Sequence, residues 1–373
     1  MRILGDDLAH LRATRSSVKW RLFEPDVLPV WVAEMDAQPC APVVEAVTRA
    51  ISNGDTGYGW APPFQEAFAD FAARRWGWAV EPKTLGLVPD VMGGIAEILH
   101  LLPGDAVVVS PPCYESFFGF VESVRKRAVL APLDSAHRLD PDALEGAFAD
   151  AGAGAAYLLC NPQNPTGTVH TPAELAMLAR LADRYDVQVI SDEIHAPLTH
   201  PGVTFTPYLQ VPEATRGLAV VSASKAWNLA GLKSALTVAG PECRVLDEMH
   251  EVVTHGANHL AVIAQTAAYV EGEDWLEQVH GELADNRRLL QALLSEALPQ
   301  VRIAPAEATY LSWLDCTDLG LADPTATFLE RGRVALADGW RYDPERGRQW
   351  ARFNHATSPE VLAEAVRRMA ASL

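Results

Sequence analysis

Between residues 106 and 239 the chain alternates short apolar runs with stretches of helical spacing. The runs at 106–110, 128–133, 155–160, 187–191, 218–221 and 235–239 are nearly unbroken in Val, Leu, Ile and Ala. Unbroken apolar runs of that length predict strands buried on both faces. Between two of them Thr171, Pro172 and Glu174 form a helix start, with a hydroxyl cap, a proline in the first turn and an acid at the third position. That helix is expected to run to about Tyr185. Strand, helix and strand in this order imply a mostly parallel sheet covered by helices on both faces.

The flanks read differently. Pro25, Pro29 and Pro39 surround an extended apolar stretch at 27–33, expected as an ordered arm. A helix is predicted from Pro63 through Phe64, Phe68 and Phe71 toward Trp76, and another after Gly93 and Gly94 to Leu102. Beyond residue 243 long helices are predicted over 245–269 and 275–297, with a terminal helix starting at Ser358-Pro359. Short strands near 309–313 and 352–354 complete a smaller α+β region. The division expected is an N-terminal arm at 1–45 packing with the small domain, a large α/β domain at 46–272, and a small α+β domain at 273–373.

Composition narrows the function. Of 373 residues 49% are hydrophobic and 21% charged, which fits a folded core and argues against disorder or a coiled coil. Lys and Arg total 30 against 48 Asp and Glu, a formal net charge of −18. That charge repels nucleic acid and anionic lipid, and no apolar run has the length of a membrane span, so neither partner is expected. The N-terminus lacks a signal-peptide pattern. The cysteines at 40, 113, 160, 243 and 316 are dispersed, without CxxC, as in a reduced cytoplasmic protein with neither a disulfide framework nor a zinc site.

In such sheets chemistry gathers where strands end at their carboxyl edge. Ser222-Ala223-Ser224-Lys225 follows the run ending at Val221. A lysine there can be held partly desolvated and serve Schiff-base chemistry, with the serines and Lys233 as anion donors. A solvated loop lysine is the alternative. Asn161-Pro162-Gln163-Asn164-Pro165 follows Cys160 and reads as a preset turn able to aim the Asn164 amide at a ligand. Asp192 and His195 end the next run. A buried acid there needs a cationic partner such as a protonated pyridine nitrogen, while a helix cap and a surface histidine are the alternative. Val88-Pro89-Asp90-Val91-Met92-Gly93-Gly94 comes just before a helix, where backbone N–H groups suit a phosphate, and Tyr114 could stack on a flat ring or serve the core. Trp20, Trp31, Trp60 and Trp227 are expected mostly in core packing.

Together these residues resemble the fold-type I pyridoxal phosphate enzymes of the aspartate aminotransferase superfamily, over nearly the whole chain. The resemblance implies the PLP-dependent transferase fold, with pyridoxal 5'-phosphate held covalently by Lys225, Asp192 paired with the pyridinium nitrogen, and Asn164 donating to the phenolic oxygen. It implies that Tyr114 stacks on the ring, with His195 beside it, and that Val91, Met92, Ser222, Ser224 and Lys233 surround the phosphate. Lys233 stands where the family commonly has arginine. Tyr58, in Gly-Tyr-Gly, matches a tyrosine that reaches the neighbouring subunit's phosphate, implying a homodimer with active sites at the interface. Arg352 matches the clamp on the substrate α-carboxylate, aided by backbone near Ala33.

A narrower resemblance is to the MalY/PatB-like carbon–sulfur β-lyases. It rests on Leu28-Pro29-Val30-Trp31-Val32-Ala33-Glu34-Met35-Asp36, on Asp192-Glu193-Ile194-His195, and on Lys225-Ala226-Trp227-Asn228-Leu229-Ala230-Gly231-Leu232-Lys233. Pro197, Phe205 and Glu34 depart from the subgroup's usual Asp, His and Asp. The implied reaction is α,β-elimination from L-cystathionine or another L-cysteine S-conjugate to a thiol, pyruvate and ammonia, with Lys225 moving the α proton and Tyr58 or Lys225 protonating the thiolate. An aminotransferase of an L-amino acid, which shares all these residues, is the alternative.

Overall fold

The apolar runs become the centre of a seven-stranded sheet in the computed structural model, which describes residues 2–373. In chain order its strands are β1 (Gly86–Val88), β2 (Ala106–Val109), β3 (Arg127–Leu130), β4 (Ala156–Cys160), β5 (Gln188–Asp192), β6 (Leu218–Val221) and β7 (Ala235–Ala239). Their spatial order is β1-β7-β6-β5-β4-β2-β3. The pairs from β6 through β3 are parallel, and β7 runs antiparallel to both β6 and β1. The fold is α/β, as the alternation implied. Strand β1 was not foreseen, because Gly-Leu-Val is too short to show a period.

Alternation along the strands divides the core in two. Val107, Val109, Leu158 and Ile190 pack on one face with Ile95, Ile98 and Leu99 of the helix Val91–Leu101. Val108, Tyr157, Leu159 and Val189 pack on the other with Leu144 and Phe148 of Pro141–Ala151 and Leu175 and Leu178 of Pro172–Arg184. Each such side chain taken fully from water contributes about 1.5–3 kcal/mol, so burial on both faces fixes the register of the central strands. Thr171 and Glu174 form the expected reciprocal capping box, and the helix ends at Arg184.

The chain divides into two units by its internal contacts. The one holding the large sheet comprises Cys40–Gln163 and Thr168–Asp274; the other comprises residues up to Pro39, Asn164–Gly167 and Trp275–Leu373. In the second unit a four-stranded antiparallel sheet runs in the order Ala337–Asp338, Trp350–Asn354, Leu311–Asp315, Arg302–Ile303. The arm belongs to this unit: Leu28–Pro29 pairs in parallel with Val334–Ala335, and Leu11, Leu28 and Val30 share a core with Leu290, Leu314, Phe353 and Met369.

The expected helix over 245–269 does not form as one piece. A 3-10 turn at Val245–Glu248 and a short turn at Glu251–Thr254 precede the helix His259–Glu271. His250 Nδ1 accepts from Val252 N–H and Asn258 Oδ1 from Ala261 N–H, so two local caps each restart the backbone. Among the described residues no helix is long and apolar enough to cross a membrane. All five cysteines are buried and none forms a disulfide.

Candidate active site

Parallel strands β4, β5 and β6 end at Cys160, Asp192 and Val221, so the loops that follow them leave the same edge of the sheet. Asp192 closes β5 and is buried. Its Oδ1 accepts the Ile194 N–H at 3.1 Å, while burial pushes the carboxyl up to about 6 and the nearby Lys225 ammonium pulls it back in part. A carboxylate so placed is completed by a cation rather than by water. Glu193, buried beside it, is pushed up to about 8 by desolvation although Tyr208 N–H and Ser191 Oγ both donate to it. His195 is 2% exposed, which excludes the surface-histidine reading.

Lys225 is half-buried just beyond β6. The turn carrying it is anchored by Trp227, whose Nε1 donates to Gly272 O at 2.9 Å and whose ring meets Phe71 and Tyr269 edge-on. Trp227 is therefore core, as expected, whereas Trp60 is 68% exposed and departs from that expectation. On the same loop the Ser224 N–H donates to Ser222 Oγ at 3.2 Å. Lys233 Nζ lies 2.6 Å from Asp90 Oδ2, and the other oxygen of Asp90 caps the helix Val91–Leu101 by accepting from Gly93 N–H.

That helix begins at Val91, ahead of the glycines, so Gly93 and Gly94 lie in its first turn. A Cβ on Gly94 would come within 2.9 Å of Val88 Cγ2, so glycine lets the helix start sit close against β1. With Asp90 occupied at Gly93, the N–H groups of Val91 and Met92 have no acceptor among the described residues, and neither has the Ser224 hydroxyl a partner. Two backbone donors, one hydroxyl and one ammonium are a donor set that suits a phosphate dianion. Tyr114 is half-buried, with its ring edge-on to Phe117 at 5.7 Å. Tyr58 is 90% exposed.

In the other unit Arg352 is buried on the strand Trp350–Asn354. Its Nη1 donates to Asn164 Oδ1 at 3.0 Å and its Nη2 to Trp31 O at 2.9 Å, and its guanidinium lies 4.8 Å over the Tyr342 ring. Among the described residues no carboxylate pairs with it and Nε has no hydrogen-bond partner, so they leave this buried cation without a counter-charge. Asn164 sits between the cis bonds Asn161-Pro162 and Asn164-Pro165.

The segment 31–36, which includes Ala33, is held from several sides. Asn354 Nδ2 donates to Val32 O and Glu34 O, both at 2.7 Å. Lys19 Nζ pairs with Asp36 Oδ2 at 2.8 Å and donates to Glu34 O, and Trp20 Nε1 donates to Asp36 Oδ1. Lys19, Asn354 and Gln265 were not singled out from the sequence. The available signal was a polar residue set among buried apolar neighbours, as Gln265 is set among Ala261, Val262, Ala264 and Ala268.

Residues 32–369 match the family described as aminotransferase class I and II. A Mycobacterium tuberculosis protein named provisionally as a cystathionine beta-lyase is 46% identical over 98% of this chain and 97% of its own. The cystathionine beta-lyase of Corynebacterium glutamicum is 35% identical over 96% of this chain and 97% of its own. The crystal structure of a Corynebacterium diphtheriae protein, described provisionally as a PLP-dependent beta-cystathionase, superposes with a TM-score of 0.92 at 34% identity, covering 99% of this chain and 98% of that one. The chain belongs to the aminotransferase class I and II family.

Proposed function

We propose that this protein is a pyridoxal 5'-phosphate-dependent carbon–sulfur β-lyase that cleaves L-cystathionine or a related L-cysteine S-conjugate to a thiol, pyruvate and ammonia. The observation that carries the reading is Asp192, a buried carboxylate raised by desolvation and facing the Lys225 charge at the end of β5. The names of the relatives at 46% and 35% identity favour elimination over amino-group transfer.

Lys225 would hold the cofactor. Asp192 would keep its ring nitrogen protonated, with His195 and Tyr114 beside the ring and Asn164 donating to its phenolic oxygen. Val91 and Met92 N–H, Ser224 and Lys233 would receive the phosphate, with Ser222 supporting Ser224. When bound, pyridoxal phosphate supplies an electron sink that makes the substrate's α proton acidic. The protein does the rest. Arg352 binds the α-carboxylate, a bidentate task suited to its compensation-seeking guanidinium, and backbone near Ala33 supports it. The Lys225 amine takes the α proton, and the thiolate leaves from Cβ and is protonated by Lys225 or Tyr58. The released 2-aminoacrylate hydrolyses to pyruvate and ammonia, which balances the reaction with one water.

The active form would be a homodimer in which Tyr58 serves the second copy, a reading that its near-complete exposure in the single chain supports. Five buried thiols outside any disulfide support a cytoplasmic location. The test is purified protein with L-cystathionine and no keto acid, followed by visible absorbance and a pyruvate assay, with mass in solution measured alongside. Pyruvate from a yellow dimer is expected. Bleaching without pyruvate, reversed only by a keto acid, would make it an aminotransferase.

A further inference from the structure

Gln265 lies on the helix His259–Glu271, is fully buried, and spends all of its hydrogen-bonding capacity on two loops. Its Oε1 accepts the Ala223 N–H at 2.9 Å and lies 2.9 Å from Ser222 Oγ. Its Nε2 donates to Ser234 O at 2.8 Å and to Leu232 O at 3.2 Å. Ser222 Oγ is also 2.9 Å from Ser234 O, so its one proton is shared between two acceptors while it accepts the Ser224 N–H. One amide thus joins the segment leaving β6, with Ser222 and Ser224, to the segment entering β7, with Lys233 between Leu232 and Ser234.

We infer that Gln265 is a positioning residue for the phosphate cradle. It holds the Ser222–Ser224 turn and the Lys233 backbone at a fixed separation before any ligand arrives. This rests on the cofactor reading given above. The two side chains proposed to meet the phosphate, Ser224 and Lys233, stand on the two segments that Gln265 joins, whereas Asp192 and Tyr114 stand on other loops. Ser222 in particular is a strut: its hydroxyl is committed to Gln265 and Ser234 and orients Ser224, which keeps an uncommitted hydroxyl. Without Gln265 the Ala223 N–H and the Leu232 carbonyl lose their listener, and the two segments are released from each other. Preorganisation of this kind is worth affinity only for the group the cradle receives.

The consequence separates positioning from general support. Cofactor is stripped from purified holoenzyme, and the protein is titrated with pyridoxal 5'-phosphate and, separately, with pyridoxal, which lacks the phosphate. Gln265→Met, similar in length and unable to make any of the four bonds, is expected to weaken pyridoxal phosphate about ten- to a hundredfold while leaving pyridoxal within about twofold. Gln265→Asn keeps the amide on a shorter stem and guards against a misfolded Met variant; it is expected to show a smaller loss, again confined to the phosphorylated compound. Equal weakening of both compounds would make Gln265 a merely structural residue and overturn the inference, as would unchanged affinity for both. Wild-type protein that takes up neither compound would overturn the cofactor reading itself, and the inference with it.

Discussion

Asp192→Asn should make the cofactor-free protein more stable and the enzyme nearly inactive. Burial raises the Asp192 carboxyl from 3.8 to about 6 in the folded chain. The folded state therefore favours the neutral acid, and the charged carboxylate penalises folding. Below about pH 4 the acid is protonated in both states and the penalty is absent; it grows as pH rises and is complete above about pH 6. The raised value corresponds to about 3 kcal/mol at 1.36 kcal/mol per unit. Asparagine removes the charge yet keeps an oxygen to accept the Ile194 N–H. Glu193, pushed up to about 8, adds its own loss of stability with pH to both proteins; Asp192 contributes to that rise, so neutralising it shifts Glu193 in the same stabilising direction. In urea unfolding of cofactor-free protein, the variant should match the parent near pH 4 and exceed it by up to about 3 kcal/mol at pH 8. An advantage that is the same at both pH values, or a variant weaker at pH 8, would refute the electrostatic account. With cofactor bound, the pairing proposed for Asp192 with a protonated ring nitrogen should reverse the sign, and elimination should fall roughly 10²–10³-fold. A position that costs stability when empty and supplies activity when filled is the pattern expected of a functional site.

Arg352→Lys should raise KM for the amino acid about ten- to a hundredfold while leaving the cofactor's absorbance unchanged, because an ammonium cannot reach Asn164 Oδ1 and Trp31 O together and still present a fork to a carboxylate; steady-state kinetics with spectra decide it. Lys19→Met should destabilise the protein by about 3–5 kcal/mol in urea unfolding, since the Asp36 carboxylate is 1% exposed and would be left as an unpaired buried charge; adding Asp36→Leu should recover most of that loss.

The central strands and the loops that follow them could be read from the sequence for one physical reason. Strands buried on both faces must be apolar at every position, so 155–160 and 218–221 announce themselves, and the polar residues that follow them, Asn161 and Ser222, stand out against that background. Strand β1 escaped because an edge strand of Gly-Leu-Val carries too few positions to show a period. The break in 245–269 escaped because helical spacing continues across it, and only the caps at His250 and Asn258 interrupt it. Lys19, Gln265 and Asn354 share a deeper obstacle. Each sits among apolar neighbours and donates to backbone carbonyls of segments remote in sequence: Lys19 to Glu34 O, Gln265 to Leu232 O and Ser234 O, Asn354 to Val32 O and Glu34 O. Periodicity shows that such a residue is out of place, since a buried polar group without partners costs about 1–3 kcal/mol. It cannot show which partners are meant, because any segment offers the same carbonyl. A polar residue on an apolar face is thus a legible sign that two remote segments are tied together, and the fold alone supplies the address.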